Sequence, residues 1–383
     1  MRRRRCLTIA LSAGPVAAAV FMATPAAPTA AEQGTAESNA TVVSATPISV
    51  VGPAWFDGAL YQQVINSGAH GVPLTSISAL QSTQSTTAAA STPCLYSSGA
   101  GPTGGTLPSA PAGVERPPVG LGPGTWLISL FCTKVGGVSV PDGFAWCTAN
   151  FVFQNSGYFG LGTAGHCAAS DALGSPVTAV VTPPPEVCAN GGSCAPGIYA
   201  IGTFSVVRNN GLGDDFAIVK VYPQFNSWMR PTMPVYGGPT GSFSGGLAGV
   251  PGRTLSLGGS TVYTPAYYPS TVGFCGNGIA VGTGDTCRSG AALFASATWY
   301  AWYGASTPGD SGSGVELLGD YVTPLAPVPA VADLTHIIIL YASINKNGQV
   351  TEGPEQPAMI AGTQISRILS IAGNWKLVSG ALP

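Results

Sequence analysis

Glycine and proline interrupt this chain so often that they leave little room for long helices. The 383 residues include 53 Gly and 33 Pro, which break the apolar sequence into short runs. From Gly124 onward, runs rich in Val, Ile, Thr and Tyr alternate with clusters of turn-forming residues. Short strands at this spacing indicate an all-β barrel or sandwich rather than a parallel α/β sheet.

The sequence predicts strands over most of this region and one helix at its end. The strand-like runs are Trp126–Phe131, Ala145–Phe153, Val177–Val181, Ala200–Val207, Phe216–Tyr222, Leu255–Thr264, Ala291–Tyr300 and Ile337–Ile344. Only the stretch Gln364–Trp375 repeats its apolar residues at helical spacing. We therefore expect an all-β domain followed by a C-terminal helix.

The first 31 residues resemble a secretion signal. Arg2–Arg5 supply a positive start, Leu7–Phe21 an apolar core, and Thr29–Ala31 the small residues of a cleavage site. A membrane anchor is the alternative, but Gly14 and Pro15 interrupt the apolar run. The sequence thus predicts that residues 1–31 are removed and that the mature protein is secreted, with no attachment to the membrane.

Residues 32–125 differ in composition from the rest of the chain. The Ser/Thr/Ala tract 81–93 and the Gly/Pro run 98–113 cannot bury a good core. One apolar island, Ile48–Ile65, is compatible with a helix or with a pair of strands. We interpret residues 32–125 as a linker or as a removable pro-segment of a zymogen, and residues 126–383 as the folded domain.

Charge and cysteine content narrow the functional classes. The net charge is −2 with 8% charged residues, which provides no basic surface for nucleic acid or membrane. Without Cys6 of the signal, an even set of cysteines remains, which suggests four disulfides in a secreted chain. These cysteines are Cys94, Cys132, Cys147, Cys167, Cys188, Cys194, Cys275 and Cys287. The simplest pairs are Cys188–Cys194 and Cys275–Cys287, because each closes a Gly-rich loop, and the remaining connectivity stays open. No metal site is expected, since there is no CxxC pair and the three His are scattered.

Three short stretches contain the residue types that acyl transfer requires. They are 160-GLGTAGHCAA-169, 213-GDDFAIVKVY-222 and 306-STPGDSGSGV-315. A serine hydroxyl needs a neighbouring imidazole as general base, an effect of roughly 10²–10⁴-fold, and a carboxylate to orient that imidazole. Backbone amides on a tight glycine turn can stabilise the oxyanion that develops. Each stretch alone is an ordinary turn or strand end, but together they indicate a nucleophilic serine.

The segments TAGHC (163–167), DFAIVKV (215–221) and PGDSGSG (308–314) resemble the signature motifs of the chymotrypsin-like (trypsin-like) serine proteases, in particular their bacterial secreted branch. The resemblance implies two six-stranded antiparallel β-barrels with the active site between them. It also implies a monomeric endopeptidase that hydrolyses proteins or peptides through an acyl-enzyme, without a cofactor. Residues 126–383 would form the protease domain.

The resemblance assigns roles residue by residue. His166 matches the general base, Asp215 the orienting acid and Ser311 the nucleophile, while the N–H groups of Gly309 and Ser311 match the oxyanion hole. Asp214 is the rival to Asp215 and requires a shift of one residue. The order His, Asp, Ser also excludes an α/β-hydrolase, in which the His comes last.

The resemblance extends to disulfides and to a specificity pocket. Cys147 matches a partner of Cys167 beside the histidine, which leaves Cys94 to pair with Cys132. Ala305 matches the base of the main specificity pocket and implies cleavage after apolar or small residues. The strand 341-YASIN-345 is the best match for the pocket wall and contributes Ser343 and Asn345. On this alignment, residues 318–335 are a Pro-rich insertion ahead of that strand.

Two further residues raise alternatives. In the resembled family, the aspartate that matches Asp310 is paired with a cation, either a new amino terminus or an internal Arg, and we expect an internal partner in Arg253 or Arg288. His336 lies closer to Ser311 in sequence than His166 does, but it lacks the AGHC context, and we expect a histidine at a strand end whose hydrogen bonds are satisfied.

A catalytically silent relative that acts as a secreted binding protein is the alternative function; intact His, Asp and Ser argue against it.

Overall fold

The structure is a computed structural model that describes part of the chain. The described residues are 42–47, 56, 58–73, 118–169, 172–188, 196–243, 252–257, 260–265, 271–276, 287–304, 306, 309–319, 328–340 and 358–382. All of them belong to one compact unit, Asn39–Pro383. The predicted signal segment, the cysteines Cys94 and Cys194 and the pocket residues Ala305, Ser343 and Asn345 lie outside the described residues.

The described residues form short strands and a few helices. In chain order the strands are β1 (Val42–Pro47), β2 (Val72–Pro73), β3 (Trp126–Val135), β4 (Val138–Thr148), β5 (Val152–Asn155), β6 (Tyr158–Thr163), β7 (Pro176–Val181), β8 (Gly197–Asn209), β9 (Asp215–Val221), β10 (Gly252–Leu257), β11 (Ser260–Pro265), β12 (Thr271–Cys275), β13 (Cys287–Ala295), β14 (Trp299–Gly304), β15 (Gly314–Gly319), β16 (Ala330–Asp333), β17 (His336–Leu340), β18 (Ala358–Thr363) and β19 (Lys376–Leu377). The α-helices are α1 (Gly58–Ser67), α2 (Pro185–Cys188) and α3 (Ile365–Ile371).

The first sheet closes on itself as a barrel. Its antiparallel order is β19-β5-β6-β9-β8-β7-β3-β4, with β2 added on β8. Residues 149–151 join β4 directly to β5. Their backbone forms hydrogen bonds with Thr125 on one side and with Gly162 on the other. Taken as one bent strand, β4–β5 therefore closes a ring of six strands with β6, β9, β8, β7 and β3.

The second sheet closes in the same way. Its order is β1-β17-β18-β14-β13-β12-β15-β16, and the β10–β11 hairpin joins it at β13. Leu334 and Thr335 join strands β16 and β17. The amide of Leu334 donates a hydrogen bond to the carbonyl of Ser313, and the amide of Thr335 donates one to the carbonyl of Ala361. With β16–β17 as one bent strand, the described residues again form a ring of six. The predicted all-β fold of two antiparallel barrels is confirmed.

The apolar pattern of the C-terminal helix explains its position. Ile365 and Ile368 are buried in a cluster that also contains Phe151 and Phe216 of the first barrel and Ala330 of the second. The predicted C-terminal helix is therefore present, although α3 is shorter than the predicted span and ends at Ile371. This helix covers the region where residues of both barrels meet.

Two runs that the sequence presents as single strands are hairpins. Leu255–Thr264 divides into the paired strands β10 and β11, and Ala291–Tyr300 divides into β13 and β14. In the second hairpin the hydroxyl of Ser296 accepts hydrogen bonds from the amides of Thr298 and Trp299. A serine makes this turn without Gly or Pro, so the sequence contains no strong turn signal.

Part of the predicted pro-segment or linker packs on the barrels. Helix α1 lies against the first barrel, where Leu60, Tyr61 and Val64 are buried in the same apolar cluster as the barrel strands. Strand β2 pairs with β8, and β1 pairs with β17 of the second barrel. Of the two alternatives for the apolar island Ile48–Ile65, its described part thus forms a helix.

Candidate active site

His166 sits on a tight turn that the first barrel holds in place. The 3₁₀ turn Gly165–Cys167 follows β6, and a disulfide joins Cys167 to Cys147 of β4. The Cβ of any larger residue at position 165 would lie 1.7 Å from the carbonyl oxygen of Arg208, so only glycine fits. The amide of His166 donates to Asp215 Oδ1 at 2.8 Å, which fixes the backbone on the carboxylate.

Asp215 is the first residue of β9 and is completely buried. Its Oδ2 lies 2.7 Å from His166 Nδ1, and its backbone exchanges two hydrogen bonds of 3.1 Å with the Thr363 hydroxyl. Thr363 ends β18, so the second barrel helps to hold an aspartate of the first. Asp214 instead pairs with Arg208, whose Nη2 lies 3.2 Å from Asp214 Oδ2.

Ser311 reaches the imidazole from the second barrel. Its Oγ lies 2.9 Å from His166 Nε2. Thr148 of the first barrel anchors the serine loop twice, because its hydroxyl donates to the carbonyl of Gly309 at 2.8 Å and its amide to that of Ser311 at 2.8 Å. The hydroxyl of Ser311 is thus held against the imidazole by hydrogen bonds that link the two barrels.

Two glycines give the serine loop its shape. Gly309 has φ of +100° and Gly312 has φ of +89°, a region that favours glycine. A Cβ on Gly312 would lie 2.2 Å from the hydroxyl of Thr163. Such a turn can direct successive amides toward one point, which is the arrangement that the predicted oxyanion hole of Gly309 and Ser311 requires.

The carboxylate next to the serine is paired inside the protein. Asp310 is completely buried, and its Oδ1 lies 2.5 Å from Arg288 Nη2. The Arg288 guanidinium also lies over the Phe274 ring, 5.1 Å from its centroid. Of the two expected internal partners, Arg288 thus pairs with Asp310, and the side chain of Arg253 lies outside the described part of the structure.

The polar residues that lie close to Asp215 on the second barrel were not predicted from the sequence. Residues 330–333 form β16, which pairs with β15, so the interpretation of residues 318–335 as an insertion is wrong for its last part. The strand enters the barrel before position 341, and it therefore places Asp333, Thr335 and His336 beside the serine loop. No motif signals these residues, because ADLTH has the composition of an ordinary strand end.

His336 is satisfied at a strand end, as expected, but it also lies within the site. Its Nδ1 is 2.7 Å from the Thr335 hydroxyl and 3.7 Å from Asp215 Oδ2, and its ring lies 6.2 Å from that of His166. Burial lowers the pKa of His336 to about 4, although the Asp215 carboxylate acts in the opposite direction. The second imidazole is therefore neutral at physiological pH and does not cancel the charge of Asp215.

Asp333 is a second buried carboxyl group near Asp215. Its Oδ1 accepts a 2.7 Å hydrogen bond from the amide of Thr363. Burial raises the pKa of Asp333 well above its ordinary value, and the nearby Asp215 raises it further. Burial and the neighbouring carboxylate thus both disfavour the charged form of Asp333, whereas its hydrogen bond from the Thr363 amide favours that form.

The remaining sequence predictions have different outcomes. The predicted disulfides Cys147–Cys167 and Cys275–Cys287 are both present. Cys132 and Cys188 are also disulfide-bonded, and their predicted partners lie outside the described residues.

Within the described ranges, no group of three or more His, Cys, Asp or Glu could hold a metal ion. Among those same residues, no helix has the length and apolar character needed to cross a membrane.

Comparison with solved structures identifies bacterial serine proteases as similar proteins. Thermobifida fusca protease A has 15% identity and a TM-score of 0.35, with 68% of this chain and 98% of that chain covered. Cellulomonas bogoriensis chymotrypsin has 15% identity and a TM-score of 0.35, with 67% and 97% covered. Nocardiopsis protease has 15% identity and a TM-score of 0.32, with 65% and 97% covered. No protein-family model matches the chain, and neither does any curated protein.

Proposed function

We propose that this protein is a secreted serine endopeptidase in which Ser311, His166 and Asp215 form a catalytic triad. The single observation that carries the proposal is the continuous hydrogen-bonded chain from Ser311 Oγ through both ring nitrogens of His166 to Asp215 Oδ2. All three side chains are buried or nearly so, where such bonds are stronger than in water. A binding protein has no need for this arrangement.

The proposed mechanism is acyl transfer in two steps. Ser311 Oγ attacks the carbonyl carbon of the scissile peptide bond, and His166 Nε2 takes the hydroxyl proton. Asp215 keeps the other proton on Nδ1, so that the lone pair of Nε2 faces the serine. The tetrahedral intermediate collapses when the C–N bond breaks and the leaving amine takes the proton from Nε2. Water, activated by the same imidazole, then hydrolyses the acyl ester and restores Ser311.

The oxyanion would be bound by backbone amides. In the proposal, the N–H groups of Gly309 and Ser311 donate to the oxygen that becomes negative in the intermediate. The positive φ of Gly309 and the ion pair of Asp310 with Arg288 support this role, because both define the shape of the loop. The loss of one such donor typically costs about 10²–10³ in turnover.

The substrates would be proteins or peptides cleaved after apolar or small residues. This preference rests on the match of Ala305 to the base of the main specificity pocket in the resembled family. Secretion is supported by the signal-like segment 1–31 and by disulfides at described cysteines. Removal of part of residues 32–125 would accompany maturation.

The first experiment is active-site labelling of the secreted protein with a fluorophosphonate, together with hydrolysis of casein. Wild-type protein should react with both, whereas Ser311→Ala and His166→Ala should do neither and should keep their circular dichroism spectrum. Ser242→Ala and His70→Ala are matched controls, since both residues are exposed and distant in sequence from the triad.

Two outcomes would contradict the proposal. Wild-type protein that stays unlabelled even after limited proteolysis would favour the silent homologue that acts as a secreted binding protein. Labelling that persists in Ser311→Ala would place the reactive nucleophile elsewhere in the chain.

A further inference from the structure

The strand that passes the candidate site is paired on both edges. On one side β17 pairs with β18, where His336 lies opposite Ala361. On the other side β17 pairs antiparallel with β1, in a register that runs from Val42 opposite Leu340 to Pro47 opposite His336. A segment far from the barrels in sequence thus covers an edge of β17 that would otherwise be free to bind another extended chain.

The end of β1 points toward the candidate nucleophile. Leu334 forms two backbone hydrogen bonds with the serine loop. The amide of Gly312 donates to the carbonyl of Leu334 at 2.6 Å, and the amide of Leu334 donates to the carbonyl of Ser313 at 2.8 Å. His336 follows two residues later, and the opposite end of β17 lies about 13 Å farther away at 3.3 Å per residue. Because β1 is antiparallel to β17, it runs from the distant end toward the serine, and Pro47 is its last residue.

A peptide substrate that pairs with the same edge of β17 would have to run in the same direction as β1. The acyl part of a peptide substrate precedes the scissile bond, so its chain must approach the nucleophile with its carboxyl end leading. Extended peptides commonly bind proteins by adding a strand to a free sheet edge in this manner. Strand β1 therefore has the position and the polarity of the acyl side of a bound peptide.

The proline at the end of β1 predicts which rungs are hydrogen-bonded. Opposed residues in an antiparallel ladder alternate between bonded and non-bonded pairs. Pro47 has no amide proton, so it suits a non-bonded position opposite His336. Alternation then makes Thr46–Ile337 and Ser44–Ile339 the bonded pairs, whereas the amide of Ala45 points away from β17.

The candidate nucleophile and base are both covered in this state. Ser311 has no exposed surface, and only 5% of His166 is exposed. Covered site residues combined with an occupied β17 edge are the arrangement expected of an enzyme that holds a segment of its own chain in place of substrate.

We propose that β1 is an autoinhibitory strand, in which residues 42–47 occupy the edge of β17 that extended peptide substrates use. This inference rests on the proposed endopeptidase function and specifies its regulation. Because β1 belongs to the same chain, it competes at a high effective concentration that substrate must overcome. Only the fraction of molecules with β1 released binds substrate, so the apparent KM is raised by the inverse of that fraction while kcat is unchanged.

Proline substitutions in β1 test the inference. The double variant Ser44→Pro/Thr46→Pro removes the two amides that face β17, and Ala45→Pro removes one that faces away. We expect KM for a peptide substrate to fall about 30-fold in the double variant with kcat unchanged, since two hydrogen bonds are lost and each contributes roughly 1 kcal/mol. Ala45→Pro should retain the wild-type KM. Equal KM values in all three proteins, or a higher KM in the double variant, would overturn the inference.

A peptide in trans provides the second measurement and does not depend on how the variants fold. Acetyl-VVSATP-amide, the sequence of residues 42–47, should inhibit wild-type protein competitively, raising KM without changing kcat. The control peptide acetyl-VVPAPP-amide lacks the two amides and should not inhibit. Non-competitive inhibition, or equal effects of the two peptides, would overturn the inference.

Fluorophosphonate labelling separates this inference from the proposed function. The probe has no peptide backbone and reacts irreversibly, so brief opening of the site suffices for end-point labelling. Labelled protein whose KM is unaffected by the strand variants would overturn the autoinhibitory strand alone. Protein that never labels and never hydrolyses peptides would overturn the proposed function and, with it, this inference.

Discussion

Two adjacent aspartates show how position decides the role of a residue. Asp214 and Asp215 have identical side chains, yet Asp215 is buried against His166 and Asp214 pairs with Arg208 near the surface. The difference arises because β9 begins at Asp215, so that successive side chains point to opposite sides of the strand. The same one-residue shift separates the two assignments that the sequence analysis compared.

Asp215→Asn should reduce kcat on the order of 10⁴-fold if Asp215 orients the imidazole, because an amide would stabilise the wrong tautomer of His166. Asp214→Asn is the matched control and should retain near wild-type turnover, since its carboxylate contacts arginines. The measurement is steady-state hydrolysis of a peptide ester or amide by both variants. A large loss in Asp214→Asn with turnover intact in Asp215→Asn would assign the role to the other aspartate.

At the scale of elements, α1 shows how a short apolar island can pack inside a segment of low-complexity composition. The tracts around it are poor in apolar residues, and this favoured a linker or pro-segment for residues 32–125. Within the island, however, Leu60, Tyr61 and Val64 recur at helical spacing and pack into the core of the first barrel. Phe56 and Tyr61 also contact the ring of Phe144 in β4. We infer that α1 contributes to the stability of the barrel.

Leu60→Ala should lower the free energy of unfolding by about 2–5 kcal/mol, because it leaves a cavity between α1 and the barrel. The control Gln63→Ala changes an exposed residue of the same helix and should stay within about 0.5 kcal/mol of wild type. Urea denaturation followed by tryptophan fluorescence measures both. Equal stability of the two variants would mean that the barrel does not depend on α1.

The strands show a second limit of local sequence. Turns marked by Gly or Pro were predictable, but the β13–β14 turn is built by the hydroxyl of Ser296 and left no signal. The bent strand β16–β17 was misplaced for a different reason. Its partners β15 and β18 are the neighbouring strands in the chain, but long connections join them to it, so barrel closure rather than a local turn motif selects the register.

At the scale of the whole molecule, the second barrel contains a buried acid that couples stability to pH. Glu316 on β15 has no exposed surface, and neither carboxylate oxygen has a hydrogen-bond partner among the described residues. Burial raises the pKa of Glu316 to about 9. Between its ordinary value of 4.5 and about 9, the folded protein keeps a proton that the unfolded chain releases. The contribution of Glu316 to stability is therefore fully present below pH 4.5 and is lost as the pH rises toward 9.

Glu316→Gln should remove this dependence, because the amide stays neutral at every pH. We expect the variant to gain stability relative to wild type by about 1 kcal/mol for each unit between pH 5 and pH 8. Chemical denaturation across this range provides the measurement. Glu186→Gln is the control, since the pKa of exposed Glu186 is lowered and its replacement should give no such gain. The same pH profile in Glu316→Gln and wild type would contradict the prediction.

Sequence by itself determined the class of fold and pointed to the three residues of the candidate site. Frequent Gly and Pro, short β-rich runs and an even set of cysteines in the predicted mature chain depend only on local composition, and the motifs around His166, Asp215 and Ser311 are continuous in the chain. Only the tertiary structure decided what surrounds these three residues. His166 meets Asp215 across 49 positions and Ser311 across 145. Asp333, His336 and strand β1 join them because closure of the barrels brings distant segments together, and such pairing leaves no local pattern in the sequence.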